Sequence, residues 1–305
     1  MKIQVKIYYL PILVFIILLC FGCSRKENKV SPNNIVVVDD LNKNIVIDSL
    51  PKRVISLAPN LTELIYKIGA GEKLIGNTLY CNYPDEAKRV TKIGDMITFD
   101  YEKILSLKPD LVFITVEGNV KDSYEKLTKL GIKVFASNPR NYTGIKKTLS
   151  DFGKIFNLDS NANIIISEWD FRYNKIVTEA NRLPHKKALF FIGLNPVMVA
   201  GKNTFINEII TTVGLENIAS DSPLNYPIYS REEVLRRDPE YMLMTGMSAD
   251  EIKDHIRGIR EWRGIRAIKN SNVIVVDPDM YLRPGSRFVD AVEDLFRRIT
   301  PRQGN

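Results

Sequence analysis

Histidine and cysteine are the scarcest reactive residues in this 305-residue chain. The two histidines, His185 and His255, sit among polar neighbours and form no His-Glu-x-x-His pair, so a zinc site has no support. Of three cysteines, Cys20 and Cys23 close the N-terminal apolar run and Cys81 stands alone. An odd number at such spacings builds no disulfide framework. Neither a Gly-x-Ser-x-Gly elbow nor a Gly-x-Gly-x-x-Gly turn occurs, which removes the common esterase and dinucleotide signatures. Gly193 to Gly201, followed by Lys202-Asn203, has the wrong spacing for a phosphate loop and reads as a glycine-bounded cleft loop. Asp277-Pro278-Asp279 lacks the further ligands of a calcium loop. No histidine neighbours Cys81 in sequence, so a thiol nucleophile is disfavoured. No catalytic and no metal residue is assigned.

Charge of one sign is also in short supply. The formal net charge of +7 is mild for this length, and Lys2 and Lys6 of the N-terminal segment contribute to it. No nucleic-acid partner is implied. Long apolar runs are confined to the N-terminus. There a basic start precedes an apolar run, Ile7 to Phe21, and then Gly22-Cys23, the layout of a secretory signal. The run is short for a membrane span. Gly22-Cys23-Ser24 resembles a bacterial lipoprotein cleavage site with Cys23 as the lipidated residue. Cys20 stands where the usual leucine would be, and Leu19 lies beside it. Plain secretion and an uncleaved anchor are the alternatives. All three place the chain outside the cytoplasm. Ser24 to Asn34 is polar and reads as a tether.

The apolar fraction of 45% and the charged fraction of 26% fit a soluble globular body long enough for two domains. Its central feature is another absence. Ser160 to Arg182 contains neither glycine nor proline. Ile165, Trp169, Tyr173, Ile176, Ala180 and Leu183 recur at helical spacing, which predicts a rod of roughly 34 Å, capped by Asp159 or Ser160 and stopped by Pro184.

On either side, strand and helix patterns alternate, which predicts parallel sheets covered by helices. Before the rod come a hairpin within Ile35 to Asp48, a strand Val54 to Leu57, and a helix Leu61 to Ile68. Asn60 and Glu63 suggest a capping box for that helix. A strand Lys73 to Gly76, a helix Tyr101 to Leu107, a strand Leu111 to Thr115, a helix Ser123 to Leu130 and a strand Lys133 to Ala136 follow. After the rod the expected elements are a strand Ala188 to Ile192, helices Phe205 to Val213 and Glu232 to Arg236, and a strand Tyr241 to Thr245. A helix Ile256 to Ile268, a strand Val273 to Val276 and a closing helix Arg287 to Ile299 complete the chain. Arg257, Arg260, Arg263 and Arg266 would line one face of the penultimate helix. Tyr101–Leu111 and Arg231–Tyr241 match in register, 130 positions apart, with Glu102 over Glu232 and Pro109 over Pro239. The register favours two similar lobes. The expected division is 1–22 signal peptide, 23–34 tether, 35–142 N-terminal lobe, 143–184 helical connector and 185–305 C-terminal lobe.

Arg53 to Gly76, the loop Tyr80-Cys81-Asn82-Tyr83-Pro84, and Tyr101 to Thr115 resemble substrate-binding proteins of ABC importers. The branch is the one for cobalamin, haem and ferric siderophores, and Trp262 to Asp277 is also typical of it. Ile192 to Gly201 and Tyr226 to Glu240 are similar to its cobalamin-binding members. The resemblance covers Ile35 to about Ile299. It implies an α/β fold of two lobes joined by one long rigid helix. The implied ligand is a cobalt corrinoid, or else haem or a ferric siderophore. The implied partners are an ABC permease and its ATPase, and the implied body is a membrane-tethered monomer that is not an enzyme.

Loops beyond the carboxyl ends of strands are expected to form the cleft. The resemblance places Asn60, Tyr80, Cys81, Tyr83, Glu117, Met198, Tyr226, Asp279, Tyr281 and Arg283 at the ligand, with the tyrosine rings packing on it. Glu102 and Glu232 resemble the two acids that meet permease arginines. Several cleft positions that are tryptophan in cobalamin-binding members are here Met96, Val116 and Tyr226, which weighs toward haem or a siderophore. A chelating or sensing protein, and an extracytoplasmic enzyme on the same scaffold, are the competing functions.

Overall fold

The structure, a computed structural model, describes residues 34–300 apart from Val120 and Met247. The N-terminal segment with Cys23 lies outside the described residues. The described residues from Ile35 to Thr300 fall within one compact unit. Among the described residues no helix is long and apolar enough to cross a membrane.

A hairpin opens the fold: β1 (Ile35–Val38) and β2 (Asn44–Ile47), antiparallel, with Val38 opposite Asn44. Then come β3 (Val54–Ser56), α1 (Pro59–Ile68), β4 (Leu74–Asn77), α2 (Tyr101–Ser106), β5 (Leu111–Thr115), α3 (Lys121–Lys129) and β6 (Val134–Ser137). The four strands β3 to β6 make one parallel sheet in the order β4-β3-β5-β6. Every residue of β3, β5 and β6 is buried. Such near-continuous apolar runs are what strands covered on both faces require. Phe113, Phe135, Phe152 and Phe156 interlock under this sheet, with the Phe113 and Phe152 ring centroids 4.7 Å apart.

Two helices carry the chain across. The first, α4 (Tyr142–Phe156), is capped by Asn141, whose side chain accepts from Gly144 N–H. The second, α5 (Asp159–Ala180), is the 22-residue strut, about 33 Å long at ~1.5 Å per residue. Trp169, Ile176 and Ala180 are buried, with Ile165 and Tyr173 packed beside them, as the periodicity predicts. The ends differ from expectation. Leu158 is the N-cap with no side-chain bond, while Asp159 lies in the first turn, where its charge favours the helix dipole. The helix closes on Asn181, ahead of Pro184.

The second half contains β7 (Lys186–Leu194), β8 (Val197–Val199), α6 (Phe205–Thr212), β9 (Leu215–Asn217), β10 (Ile228–Tyr229), α7 (Arg231–Arg237) and β11 (Tyr241–Met244). After them come α8 (Ala249–Gly258), α9 (Arg266–Lys269), β12 (Val273–Val275), α10 (Pro278–Tyr281) and α11 (Phe288–Ile299). Its sheet runs β10-β8-β7-β11-β12, with β9 also on β7. The pairs β7–β11, β11–β12 and β7–β9 are parallel; β8 and β10 add antiparallel pairs at one edge. The strut packs on α11, where Arg172 reaches Asp290 at 2.5 Å and Glu293 at 2.6 Å.

Two expectations fail here. The helix Ile256 to Ile268 is three pieces: α8 ends at Gly258, a 3-10 turn spans Arg260–Gly264, and α9 starts at Arg266. No single helix carries the four arginines, and Arg266, still partly exposed, pairs with Asp238 at 2.7 Å. Gly193 to Gly201 is not a cleft loop, because β7 runs on to Leu194 and turns into β8.

Candidate functional site

The four parallel strands of the first sheet end side by side, and the loop beyond each opens on one cavity of about 590 Å³. Pro59 and Asn60 follow β3, Tyr80 follows β4, Thr115, Glu117 and Gly118 follow or end β5, and Asn138 and Pro139 follow β6. Phe205, Tyr226, Pro278, Asp279, Leu282, Arg283 and Pro284 close it from the second half, with Met96 at the rim. Carboxyl-end loops of parallel strands are where open α/β sheets bind ligands. The volume falls within the range of small-molecule sites.

The walls are mainly apolar and aromatic, and their charges come in pairs. Glu117 meets Arg140 at 3.0 Å, and Asp279 meets Arg283 at 2.5 Å. Tyr80 is 56% exposed and Tyr226 38% exposed, so both rings remain available to a ligand. Burial and the Glu117 charge raise the Tyr226 phenol above its ordinary pKa, against a smaller opposing pull from Arg140. Tyr226 is therefore a neutral phenol at physiological pH.

Across the floor the halves are bolted together. Glu63 on α1 is only 2% exposed. It accepts from Arg283 Nη1 at 3.1 Å, from Arg287 Nε and Nη2 at 3.0 and 2.8 Å, and from Ser286 Oγ at 3.3 Å. Burial alone would lower the Arg287 pKa; its bonds to Glu63 and that carboxylate's charge outweigh burial and raise it. Asn60 Nδ2 donates to Pro284 O at 3.1 Å, and Asn82 Nδ2 donates to Asp279 at 2.6 Å. Gly285 permits this approach: a Cβ there would stand 3.2 Å from both Cβ and O of Asn60.

The expected capping box is thus absent. Ala58 is the N-cap and Pro59 opens the helix, which is where a residue without an N–H is tolerated. Asn60 and Glu63 then lie within the helix, and both side chains turn to the other half of the molecule.

Of the ten expected ligand residues, Asn60, Tyr80, Glu117, Tyr226, Asp279 and Arg283 line the cavity. The other four do not. Tyr281 is fully buried; its hydroxyl donates to Asp294 at 3.0 Å and its ring stacks on Phe190. Burial and the Asp294 charge raise its pKa. The Cys81 thiol points inward and contacts Thr62 and Thr78 hydroxyls at 3.2 Å each. Lys92, whose pKa burial lowers despite the nearby thiol, donates to the Cys81 carbonyl. Tyr83 lies under Arg287, 4.4 Å from ring centroid to guanidinium. Met198 sits in β8 opposite Ile228.

Sequence reading missed Asn138, Pro139, Phe205, Glu63 and Arg287. The first two were within reach, because they follow β6 as the other cleft loops follow their strands. Glu63 and Arg287 carried no local signal.

Glu102 and Glu232 are both exposed in the first turns of α2 and α7. The N-caps Asp100 and Ser230, again in register, accept from the amides of Lys103 and Glu233. Glu232 is held below the usual carboxylate range, first by its own amide and then by Ser230.

The family described as periplasmic binding protein matches residues 54–280. An uncharacterized ABC transporter substrate-binding lipoprotein, YvrC of Bacillus subtilis (strain 168), is 29% identical over 287 residues, covering 91% of this chain and 89% of that one. A vitamin B12-binding protein of Pectobacterium atrosepticum is 30% identical over 257 residues, covering 82% of this chain and 89% of that one. The crystal structure of the periplasmic vitamin B12 binding protein BtuF of Vibrio cholerae superposes with a TM-score of 0.72 at 26% identity, covering 82% of this chain and 96% of that one. Two α/β halves on one strut, a cavity at their shared mouth and a family match over most of the chain converge: this chain belongs to the periplasmic binding protein family, the solute-binding proteins of ABC importers.

Proposed function

We propose that the protein captures a corrinoid outside the cytoplasm and hands it to an ABC permease driven by its ATPase. The observation that carries the corrinoid reading is the charge pairing of the cleft. Among the described lining residues, Glu117, Asp279 and Arg283 each have an opposite partner within 3.0 Å. A ligand with free carboxylates or catecholates would lose its hydration there without gaining an unpaired cation, and a buried unpaired charge is costly. A corrinoid presents mainly neutral amides around a flat macrocycle, which suits the Tyr80 and Tyr226 rings and the proline-rich walls. The relatives named as vitamin B12-binding support the same choice.

The strut and the cross-cleft bonds favour a largely preformed site, and the protein acts as a carrier, not an enzyme. Glu102 and Glu232, one on each lobe, are proposed to meet the permease. Cys23 is proposed to carry a lipid anchor, with residues 24–34 as tether, lobes at 35–142 and 185–305, and a monomeric body.

Titration calorimetry of the full chain in detergent against cyanocobalamin, with haem and a ferric siderophore alongside, tests the reading. One-to-one cobalamin binding without response to the other two is the expected result. A flat cobalamin trace beside binding of haem or the siderophore would overturn the corrinoid assignment and keep the carrier. Silence from all three would return the enzyme and sensor readings.

A further inference from the structure

We propose that Arg283 is a positioning residue, not a ligand contact, and that it makes lobe separation and the placement of Tyr80 one coupled movement. A guanidinium has five N–H donors in a fixed fork. Four are engaged here. Nη1 donates to Glu63 Oε1 at 3.1 Å and to Asn82 Oδ1 at 2.8 Å; Nη2 donates to the Tyr80 carbonyl at 3.3 Å and to Asp279 Oδ1 at 2.5 Å. Little donor capacity is left for a ligand.

Three of the four acceptors belong to the first half of the molecule, and two of those lie in the loop that carries the Tyr80 ring. That ring is more than half exposed, so its position is set by its backbone. The backbone around it is otherwise held by Leu79 N–H on Gly94 O, Cys81 N–H on Thr78 O and Lys92 Nζ on Cys81 O, all within the first half. Arg283 supplies the link from the second half to this loop's own carbonyl. Parting the lobes at the floor breaks these bonds and frees the Tyr80 loop in the same step. A permease that pulls the lobes apart thereby withdraws an aromatic contact from the ligand. Lysine could not substitute, because an ammonium cannot present a planar fork to several fixed acceptors.

The test uses the full chain with Arg283→Met, Arg283→Lys and, as a milder change, Asn82→Ala, which removes one Arg283 acceptor together with the Asn82–Asp279 bond and leaves the bonds of Glu63 to both arginines in place. Amide exchange of the ligand-free protein is read by mass spectrometry in peptides covering 79–83, and cyanocobalamin affinity by calorimetry. Arg283→Met should speed exchange in that segment about tenfold with β3 and β5 unchanged, and weaken affinity about tenfold. Arg283→Lys should give nearly the same loss, and Asn82→Ala a smaller one in the same direction.

Lost affinity with unchanged exchange at 79–83 in all three variants would overturn the proposal and make Arg283 a direct contact. Faster exchange with unaltered affinity, or no change in either, would overturn it as well. The affinity arm rests on the corrinoid reading; the exchange arm does not. A wild-type protein that ignores cyanocobalamin therefore defeats that reading while exchange still decides the positioning role.

Discussion

Tyr281→Phe separates a core tyrosine from a ligand tyrosine with one oxygen atom. The Tyr281 hydroxyl lies 3.0 Å from Asp294 Oδ2, on a residue with no exposed surface. A hydrogen bond to a charged group contributes about 1.5–3 kcal/mol. The low end applies, because Asp294 keeps Arg297 at 2.7 Å and Arg298 at 2.9 Å. The ring, stacked on Phe190 with centroids 6.3 Å apart, is retained. A loss of about 1.5 kcal/mol corresponds to a fall of about 2–3 °C in thermal midpoint for a protein of this size. Ligand affinity should stay within about twofold, since nothing at the cavity changes. Thermal unfolding by circular dichroism and calorimetric titration read the two quantities on one preparation. An affinity loss beyond about tenfold with a midpoint unmoved within about 1 °C would refute the reasoning and return Tyr281 to the ligand.

Tyr80→Ala and Tyr226→Ala should each weaken ligand binding about tenfold, from lost ring contact and area, while the phenylalanine variants bind nearly as well; titration calorimetry decides. Glu102→Lys combined with Glu232→Lys should abolish ligand uptake by cells and leave affinity intact, and unimpaired uptake would remove the docking assignment. Glu208 accepts from Tyr142 N–H at 2.6 Å, and burial raises its pKa above the ordinary 4.5. Its native form thus holds a proton to higher pH than the unfolded chain, so its contribution to stability grows as pH falls toward 4.5. Unfolding of Glu208→Gln across pH 7 to about 4 should show wild type gaining on the variant as pH falls; a constant gap would exclude a perturbed Glu208.

Local signals were legible wherever the cause was local. The strut declared itself through apolar steps of three and four without glycine or proline. Gly69, at φ 96°, ends α1 as the sequence suggested. The Glu102 and Glu232 repeat emerged as two helix starts capped alike. Misreadings arose where a short motif had two lawful uses. Asn60 and Glu63 fit a capping box, yet Pro59 starts the helix two residues sooner and moves both side chains toward the second half. Arginines three apart suggested a helix face, yet α8 closes at Gly258 and the chain re-forms as a 3-10 turn that buries Trp262.

The sequence by itself determined the α/β alternation, the length and face of the strut and the loops at strand ends, because periodicity and turn chemistry act over a few residues. Tertiary structure alone decided the rest. Glu63 meets Arg283 and Arg287 across 220 and 224 positions, a pairing that only the approach of the two halves can create. The same approach decided that Tyr80 faces the cavity while Tyr281 does not. Which side of a short element becomes core depends on what packs over it, and that partner lies far away in the chain.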